Sequence, residues 1–298
     1  MAKRVGLITT SPEILKGEDI DLGIIVSALR DVSIAAEPLV WHEQNNDWSQ
    51  FDLLIMRSPW DYPERLDEFL DWLHWVEREA TILNSPRLIR WNLDKKYLLE
   101  LEARGVDIVP TSIYDSVQAI TDELTNTQAE VVIKPTVSVG SRNTGRYTPR
   151  HHKEALQLSS QILSLGKQVI LQPCVENVSR NGEHSLIYFD GAFSHAIRKG
   201  PILADNGGYL GGAYTEDISP AKATPKEVML ADKAIKALAS MSQDSLAPLY
   251  ARFDIVTDRG SPLLLEAELF EPSYFLATAE SSAQRFALAV KSRLGLHI

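Results

Sequence analysis

The sequence predicts a parallel α/β portion followed by an α+β portion built on antiparallel hairpins. Three observations carry this. Short apolar runs alternate with amphipathic stretches over the first third of the chain, which implies parallel strands with crossover helices. Later, two hairpins turn at Asp190-Gly191 and at Asp258-Arg259-Gly260, and Asp-Gly is among the strongest short hairpin signals. A length of 298 residues is about twice an ordinary domain and allows two or three lobes.

In order along the chain, Arg4–Ile8 reads as a strand, Asp19–Asp31 as a helix, and Ala35–Trp41 and Phe51–Met56 as strands. Pro63 opens a helix that carries Leu66, Phe69, Leu70, Leu73 and Val76 at helical spacing. Thr81–Asn84 is a short strand closed by Ser85-Pro86. Ligands of open α/β sheets bind at the carboxyl ends of strands. Here those ends are Thr9-Thr10-Ser11 and the segment Arg57-Ser58-Pro59-Trp60-Asp61-Tyr62. Asn92 can cap a helix from Leu93 to Arg104 that stops at Gly105. Next come a strand at Val131–Lys134, a polar loop at Pro135–Tyr147, a helix at Lys153–Leu165 and a strand at Gln168–Gln172. The first hairpin joins His184–Phe189 to Ala192–Lys199. A glycine-rich loop around Gly207, Gly208 and Tyr209 leads to a helix at Lys226–Met241. The second hairpin joins Tyr250–Thr257 to Leu263–Phe270, and a helix at Ser281–Leu294 closes the chain.

Composition narrows the function. A formal net charge of −10 argues against sequence-independent binding to nucleic acid or to an anionic membrane. No apolar run is long enough to span a bilayer, and the N-terminus shows no signal-peptide pattern. The one cysteine, Cys174, cannot form an internal disulfide, which fits a reducing, cytoplasmic setting. Seven histidines without metal-ligand spacing make a zinc site improbable.

The chemistry concentrates in the last hairpin. Residues two apart on a strand share a face, so Glu266 and Glu268 project together, as do Arg252 and Asp254 on the partner strand. Three converging carboxylates repel by roughly 1–4 kcal/mol per close pair, and a divalent cation removes the conflict. Mg²⁺ takes oxygen ligands from one or two carboxylates plus phosphates. An isolated E-x-E is more often a solvated surface pair; the facing R-x-D shifts the balance. Lys134 ends the strand VVIKP just before a Ser- and Gly-bearing loop with Ser138, Gly140 and Ser141. A lysine there can meet a phosphate while backbone N–H groups wrap its oxygens, although alone it reads as a solvated lysine. The loop is neither a Walker A motif nor a dinucleotide fingerprint. Lys95, in the first turn of a predicted helix, is poorly matched to the dipole unless an anion is near. Gln172-Pro173-Cys174-Val175 ends a strand at a residue without an N–H, leaving backbone groups for a flat base. Arg198 and Lys199 close the first hairpin, where either can reach a terminal phosphate.

Taken in this order, Lys95, VVIKP, VILQPCVEN, GEHSLIYFDGAFSHAIRK, ARFDIV and LLLEAEL resemble the ATP-grasp superfamily. The resemblance covers roughly residues 90–270, and the preceding portion is similar to that family's N-terminal domain. It implies an N-terminal domain over residues 1–90, a central lobe over 91–172 and a C-terminal lobe over 173–298, with ATP clamped between the lobes. It further implies that Lys95 and Lys134 hold phosphates and that Gln172, Cys174 and Val175 form the adenine hinge. Glu183 would take the ribose hydroxyls, with Glu176 as a second candidate. Asp254, Glu266 and Glu268 would bind one or two Mg²⁺ ions, and Arg252, Arg198 and Lys134 would face the reacting groups. Many members have Asn where Glu268 stands, which leaves the metal stoichiometry open.

Within the superfamily, RSPWDY and the E-A-E strand look most like the enzymes that close O-ureido-D-serine into D-cycloserine. That implies an ADP-forming C–N ligase whose substrate is a small amino-acid-like molecule. Substrate contacts would then fall to Thr9, Thr10, Ser11, Arg57, Ser58, Asp61 and the loop of Gly207, Gly208 and Tyr209. Arg57 suits a carboxylate and Asp61 an ammonium, while Trp60 and Tyr62 read equally well as packing. Two other functions stay open: an intermolecular carboxylate–amine ligase, and an ATP-binding regulatory protein without turnover. A homo-oligomer is compatible with all three.

Overall fold

The computed structural model describes residues 3–140, 142–175, 178, 182–201, 217–242 and 245–296. The chain begins with β1 (Lys3–Thr9), the single turn α1 (Pro12–Leu15), α2 (Leu22–Asp31), β2 (Ile34–Val40), β3 (Leu53–Ser58), α3 (Leu66–Val76) and β4 (Ile82–Leu83). These strands form a parallel sheet in the order β2-β1-β3-β4. Alternation along β1 sends Val5 and Leu7 toward α2, and Ile8 toward Phe69, Leu73 and Val76 of α3. Both faces of the sheet are therefore covered, as a parallel sheet requires.

α4 (Pro86–Asn92) and α5 (Tyr97–Ala103) lead into β5 (Ser112–Tyr114), α6 (Val117–Asn126), β6 (Val131–Pro135), β7 (Gly145–Tyr147), α7 (His152–Ser164) and β8 (Val169–Pro173). The second sheet has the order β5-β8-β6-β7 and is antiparallel, with α6 and α7 on its apolar face. The remaining elements are β9 (Glu183–Phe189), β10 (Ala192–Lys199), β11 (Ile218–Ala221), α8 (Pro225–Met241), β12 (Tyr250–Asp258), β13 (Ser261–Glu268) and α9 (Ser282–Arg293). Their antiparallel sheet runs β11-β10-β9-β12-β13. Its turns use left-handed residues as expected, with φ of 50° at Asp190 and 77° at Gly191.

Three expectations change. Asn92 does not cap a helix: it ends α4, whose cap is Ser85, and its buried amide bonds Ala267 O and Leu269 N of the last hairpin. The helix expected at Leu93–Arg104 shortens to Tyr97–Ala103, still stopped by Gly105 at φ 85°. The polar loop after Lys134 closes with the edge strand β7. The helix α6 and the strands β5 and β11, three and four residues long, were not anticipated from the sequence.

One core spans the two ends of the chain. Phe286 and Val290 of α9 and Tyr274–Leu276 bury against Ile25 and Leu29 of α2 and against Ile187 and Ile197 of the third sheet. This fastens the segment after β13 to the N-terminal sheet. Among the described residues, no helix is long and apolar enough to cross a membrane.

Candidate active site

A cleft lies between the second and third sheets. It is lined by Val132 and Lys134 of β6, by Gln172–Val175 at the end of β8, by Glu183, Lys199, Arg252 and Asp254, and by Leu265–Glu268 of β13. Lys95, Ser138 and Gly140 line it as well, together with Tyr62 from the N-terminal portion.

The four charged residues of the last hairpin face one another in register, Arg252 opposite Glu268 and Asp254 opposite Glu266. A bulge creates this register. From the turn up to Ile255 opposite Leu264 the pairing is regular; Leu265 is then the extra residue, and Asp254 meets Glu266. Arg252 donates to Asp254 from Nε at 2.9 Å and from Nη2 at 3.0 Å, and also to Glu268. Ser185 donates to Asp254 at 2.6 Å.

The first hairpin carries a second bulge, and it corrects one assignment. Ala192 opposes Phe189, and straight continuation would place Arg198 opposite Glu183; the shift between Phe193 and His195 places Lys199 there instead. Lys199 is buried and donates to Asp254 at 2.8 Å and to Glu183 at 3.0 Å. Arg198 lies off the cleft, paired with the exposed Asp217 at 2.5 Å. The cation that reaches into this part of the cleft is therefore Lys199.

From the opposite wall, Lys95 Nζ bonds Glu266 at 3.0 Å and Ser138 O at 2.9 Å. Lys134 is buried beside it and makes no hydrogen bond or ion pair from its ammonium among the described residues. Burial lowers its pKa, only partly offset by Glu266 and further lowered by Lys95. A buried ammonium without a counter-ion fits an incoming anion. Burial also works against Lys95, but Glu266, together with Glu268 and Glu271, outweighs it and the pKa rises.

The acids divide. Burial opposes the charge on Asp254, yet Arg252 and Lys199 pull its carboxyl well below the usual range. For Glu268, burial together with Asp254 and Glu266 outweighs Arg252 and pushes the carboxyl up to about 7. Among the described residues no three acids already stand as a metal cage, because each is held by Arg252, Lys199 or Lys95. The donor set itself, all carboxylate oxygen, suits a hard divalent cation. Such an ion and a phosphate chain would compete for the partners these charges now hold.

At the strand end, the Cys174 N–H is taken by Glu130 O at 2.7 Å and Val175 O by Val178 N–H at 3.0 Å. The buried Gln172 amide bonds Thr111 at 2.8 Å. Ser141, Glu176, Gly207, Gly208 and Tyr209 lie outside the described residues.

The N-terminal substrate set is corrected. Arg57 is fully buried, bonded to Asp19 at 2.9 and 3.1 Å, 3.6 Å from Asp21, donating to Pro272 O and stacked over Tyr274. Enclosed by those partners, it does not line the cleft and cannot meet a substrate carboxylate there. Asp61 accepts from Trp41 at 2.8 Å and Arg65 at 3.3 Å. Thr9, Thr10 and Ser58 are buried at the strand ends, and none of them, nor Ser11, lines the cleft. The cause is the docking of residues 272–276 over these strand ends, where Asp21 accepts the N–H groups of Tyr274, Phe275 and Leu276.

The cleft also takes residues from outside the predicted set. Tyr62 lines the cleft rather than only packing, and Glu271, just after β13, is buried at its edge. The third acid in E-A-E-L-F-E was visible as composition, but it falls beyond the strand, where parity no longer assigns a face.

Residues 5–84 match the family model for the N-terminal domain of D-cycloserine synthetase DcsG. The chain is 37% identical over 284 residues to the cycloserine biosynthesis protein DcsG of Streptomyces lavendulae, covering 93% of this chain and 94% of that one. It superposes on the crystal structure of D-cycloserine synthetase DcsG with a TM-score of 0.91 at 35% identity, covering 98% and 99% of the two chains. The fold extends to the ATP-grasp ligase PsnB complexed with minimal precursor, Mg and ADP, at a TM-score of 0.61 and 14% identity over 98% of each chain.

Proposed function

The chain belongs to the D-cycloserine synthetase family of ATP-grasp ligases, and on that premise we propose that it closes O-ureido-D-serine into D-cycloserine with ATP. The observation that carries this reading is the convergence of Lys95, Lys134, Lys199 and Arg252 with Asp254, Glu266 and Glu268 on one cleft. Such a site is built to bind a polyanion and to neutralise charge during phosphoryl transfer, and no histidine lines it among the described residues.

ATP enters between the second and third sheets. Its base meets the backbone of Cys174 and Val175 and its ribose meets Glu183. Lys95 and Lys134 hold phosphates, with the backbone at Ser138 and Gly140 beside them. Asp254, Glu266 and Glu268 hold one or two Mg²⁺ ions, which supply charge neutralisation at the phosphate chain when bound. Arg252 and Lys199, released from their carboxylates, face the transferring phosphoryl group. The substrate carboxylate attacks the γ-phosphorus, giving ADP and an acyl phosphate. The ureido nitrogen attached to oxygen then attacks the acyl carbon, phosphate leaves, and the five-membered ring closes. One water removes the carbamoyl group as carbamate, which gives carbon dioxide and ammonia. The protein's part is proximity and electrostatics. On this reading the chain divides into an N-terminal domain over residues 1–90, a central lobe over 91–172 and a C-terminal lobe over 173–298, and the reaction takes place in the cytoplasm, which supplies ATP.

Incubation with O-ureido-D-serine, Mg²⁺ and ATP, and no second amino acid, tests the proposal. D-Cycloserine and ADP are expected in equal amounts. Absence of both, or ADP release only when a second amine is added, rejects it.

A further inference from the structure

Among the described residues five carboxylates line the cleft, and four already face a cation: Glu183 and Asp254 face Lys199, Glu266 faces Lys95, and Glu268 faces Arg252. The fifth, Glu271, has no ion pair among the described residues, although it is 7% exposed. Its side-chain neighbour is the hydroxyl of Tyr62. Its backbone is clamped from the N-terminal portion, since Trp60 Nε1 donates to Glu271 O at 3.0 Å and Arg57 donates to the next carbonyl, that of Pro272.

A buried carboxylate costs free energy unless it is paired. This one lines the cleft, and its peptide is tied to Trp60 of the N-terminal portion. We propose that Glu271, with the Tyr62 hydroxyl, receives the α-ammonium of the amino-acid substrate and selects for it. The assignment rests on the cyclo-ligase reading and supplies the ammonium partner that Asp61 does not provide. Burial and the neighbouring Glu268 outweigh the pull of Lys95 and Arg252 and hold the Glu271 carboxyl up at about 8. In this arrangement Arg57 and Trp60 act as positioning residues: they hold the peptide that bears Glu271.

The test compares O-ureido-D-serine with its deamino analogue, 3-(ureidooxy)propanoate, on the wild type, Glu271→Gln and Tyr62→Phe. A lost charge-assisted hydrogen bond corresponds to roughly ten- to hundredfold. The wild type should therefore favour the amino substrate in kcat/KM by at least about that factor. In E271Q the preference should fall to within a few-fold of unity, with the KM for MgATP and the Mg²⁺ half-saturation within about twofold of wild type. Y62F should move the same ratio in the same direction by less. Retention of the wild-type preference in E271Q overturns the proposal, as does a shifted Mg²⁺ requirement with the preference intact, which would make Glu271 a metal ligand. If E271Q fails to bind ADP, the Y62F ratio decides, and an unchanged ratio there is also fatal. A wild type that releases no ADP with O-ureido-D-serine rejects the cyclo-ligase reading instead, so the two failures are distinct.

Discussion

Replacing Lys199 by Met, set against Arg198→Ala on the neighbouring residue, tests whether the bulge in the first hairpin assigns the active cation. Lys199 Nζ lies 2.8 Å from Asp254 and 3.0 Å from Glu183. At an effective dielectric of about 20, each contact is a gross attraction of about 6 kcal/mol, much of it offset by desolvation of the ammonium. Removing one partner from a buried charge cluster costs about 3–5 kcal/mol, because the acids left behind stay in the interior. For a protein of this size that is a fall in melting temperature of roughly 10 °C. Arg198 pairs with Asp217, and the two side chains are 33% and 62% exposed. Such a pair is worth about 0–1 kcal/mol. Thermal melting of the nucleotide-free protein should separate the two variants. Substrate-dependent ADP release should fall about a hundredfold in K199M, from loss of one preorganised contact to the reacting phosphate, and stay near wild type in R198A. Equal effects in the two variants, or a neutral K199M, would refute the register argument.

Other outcomes follow from the same charges. Lys134→Met and Glu266→Gln should each lower turnover by about a hundredfold, read as ADP release at saturating ATP; near wild-type rates in both would misplace the site. Arg57→Met should lower stability by about 3–5 kcal/mol, leaving Asp19 and Asp21 buried without their cation, measured by urea unfolding. Because Glu271 is raised to about 8 in the fold from about 4.3 unfolded, its ionisation removes stability as pH rises through that window. Glu271→Gln should therefore match wild-type stability near pH 4 and exceed it at pH 9 by a few kcal/mol; a gain at low pH would reverse the sign. Cys174→Ala should leave the KM for ATP within about twofold, since only main-chain atoms of that residue are assigned to the base.

Much of this molecule was legible from residues alone. Strand parity placed Glu266 with Glu268 and Arg252 with Asp254, because side chains alternate across any strand whatever surrounds it. The Asp190-Gly191 turn, the Pro225–Met241 helix and the parallel first sheet follow from equally local chemistry. What the sequence could not decide was register and docking. One extra residue at Ser194 exchanges Arg198 for Lys199 at the cleft, and one at Leu265 brings Glu266 opposite Asp254. A one-residue shift turns a strand's faces over without any change in its pattern, so only the assembled sheet shows it. Docking decided Arg57 in the same way. Its position at a strand end is that of a ligand-binding residue, but Asp19, Asp21 and Pro272 arrive from distant parts of the chain and enclose it away from the cleft. The peptide that consumes Arg57 also sets Glu271 in the cleft, a long-range contact that no local pattern encodes.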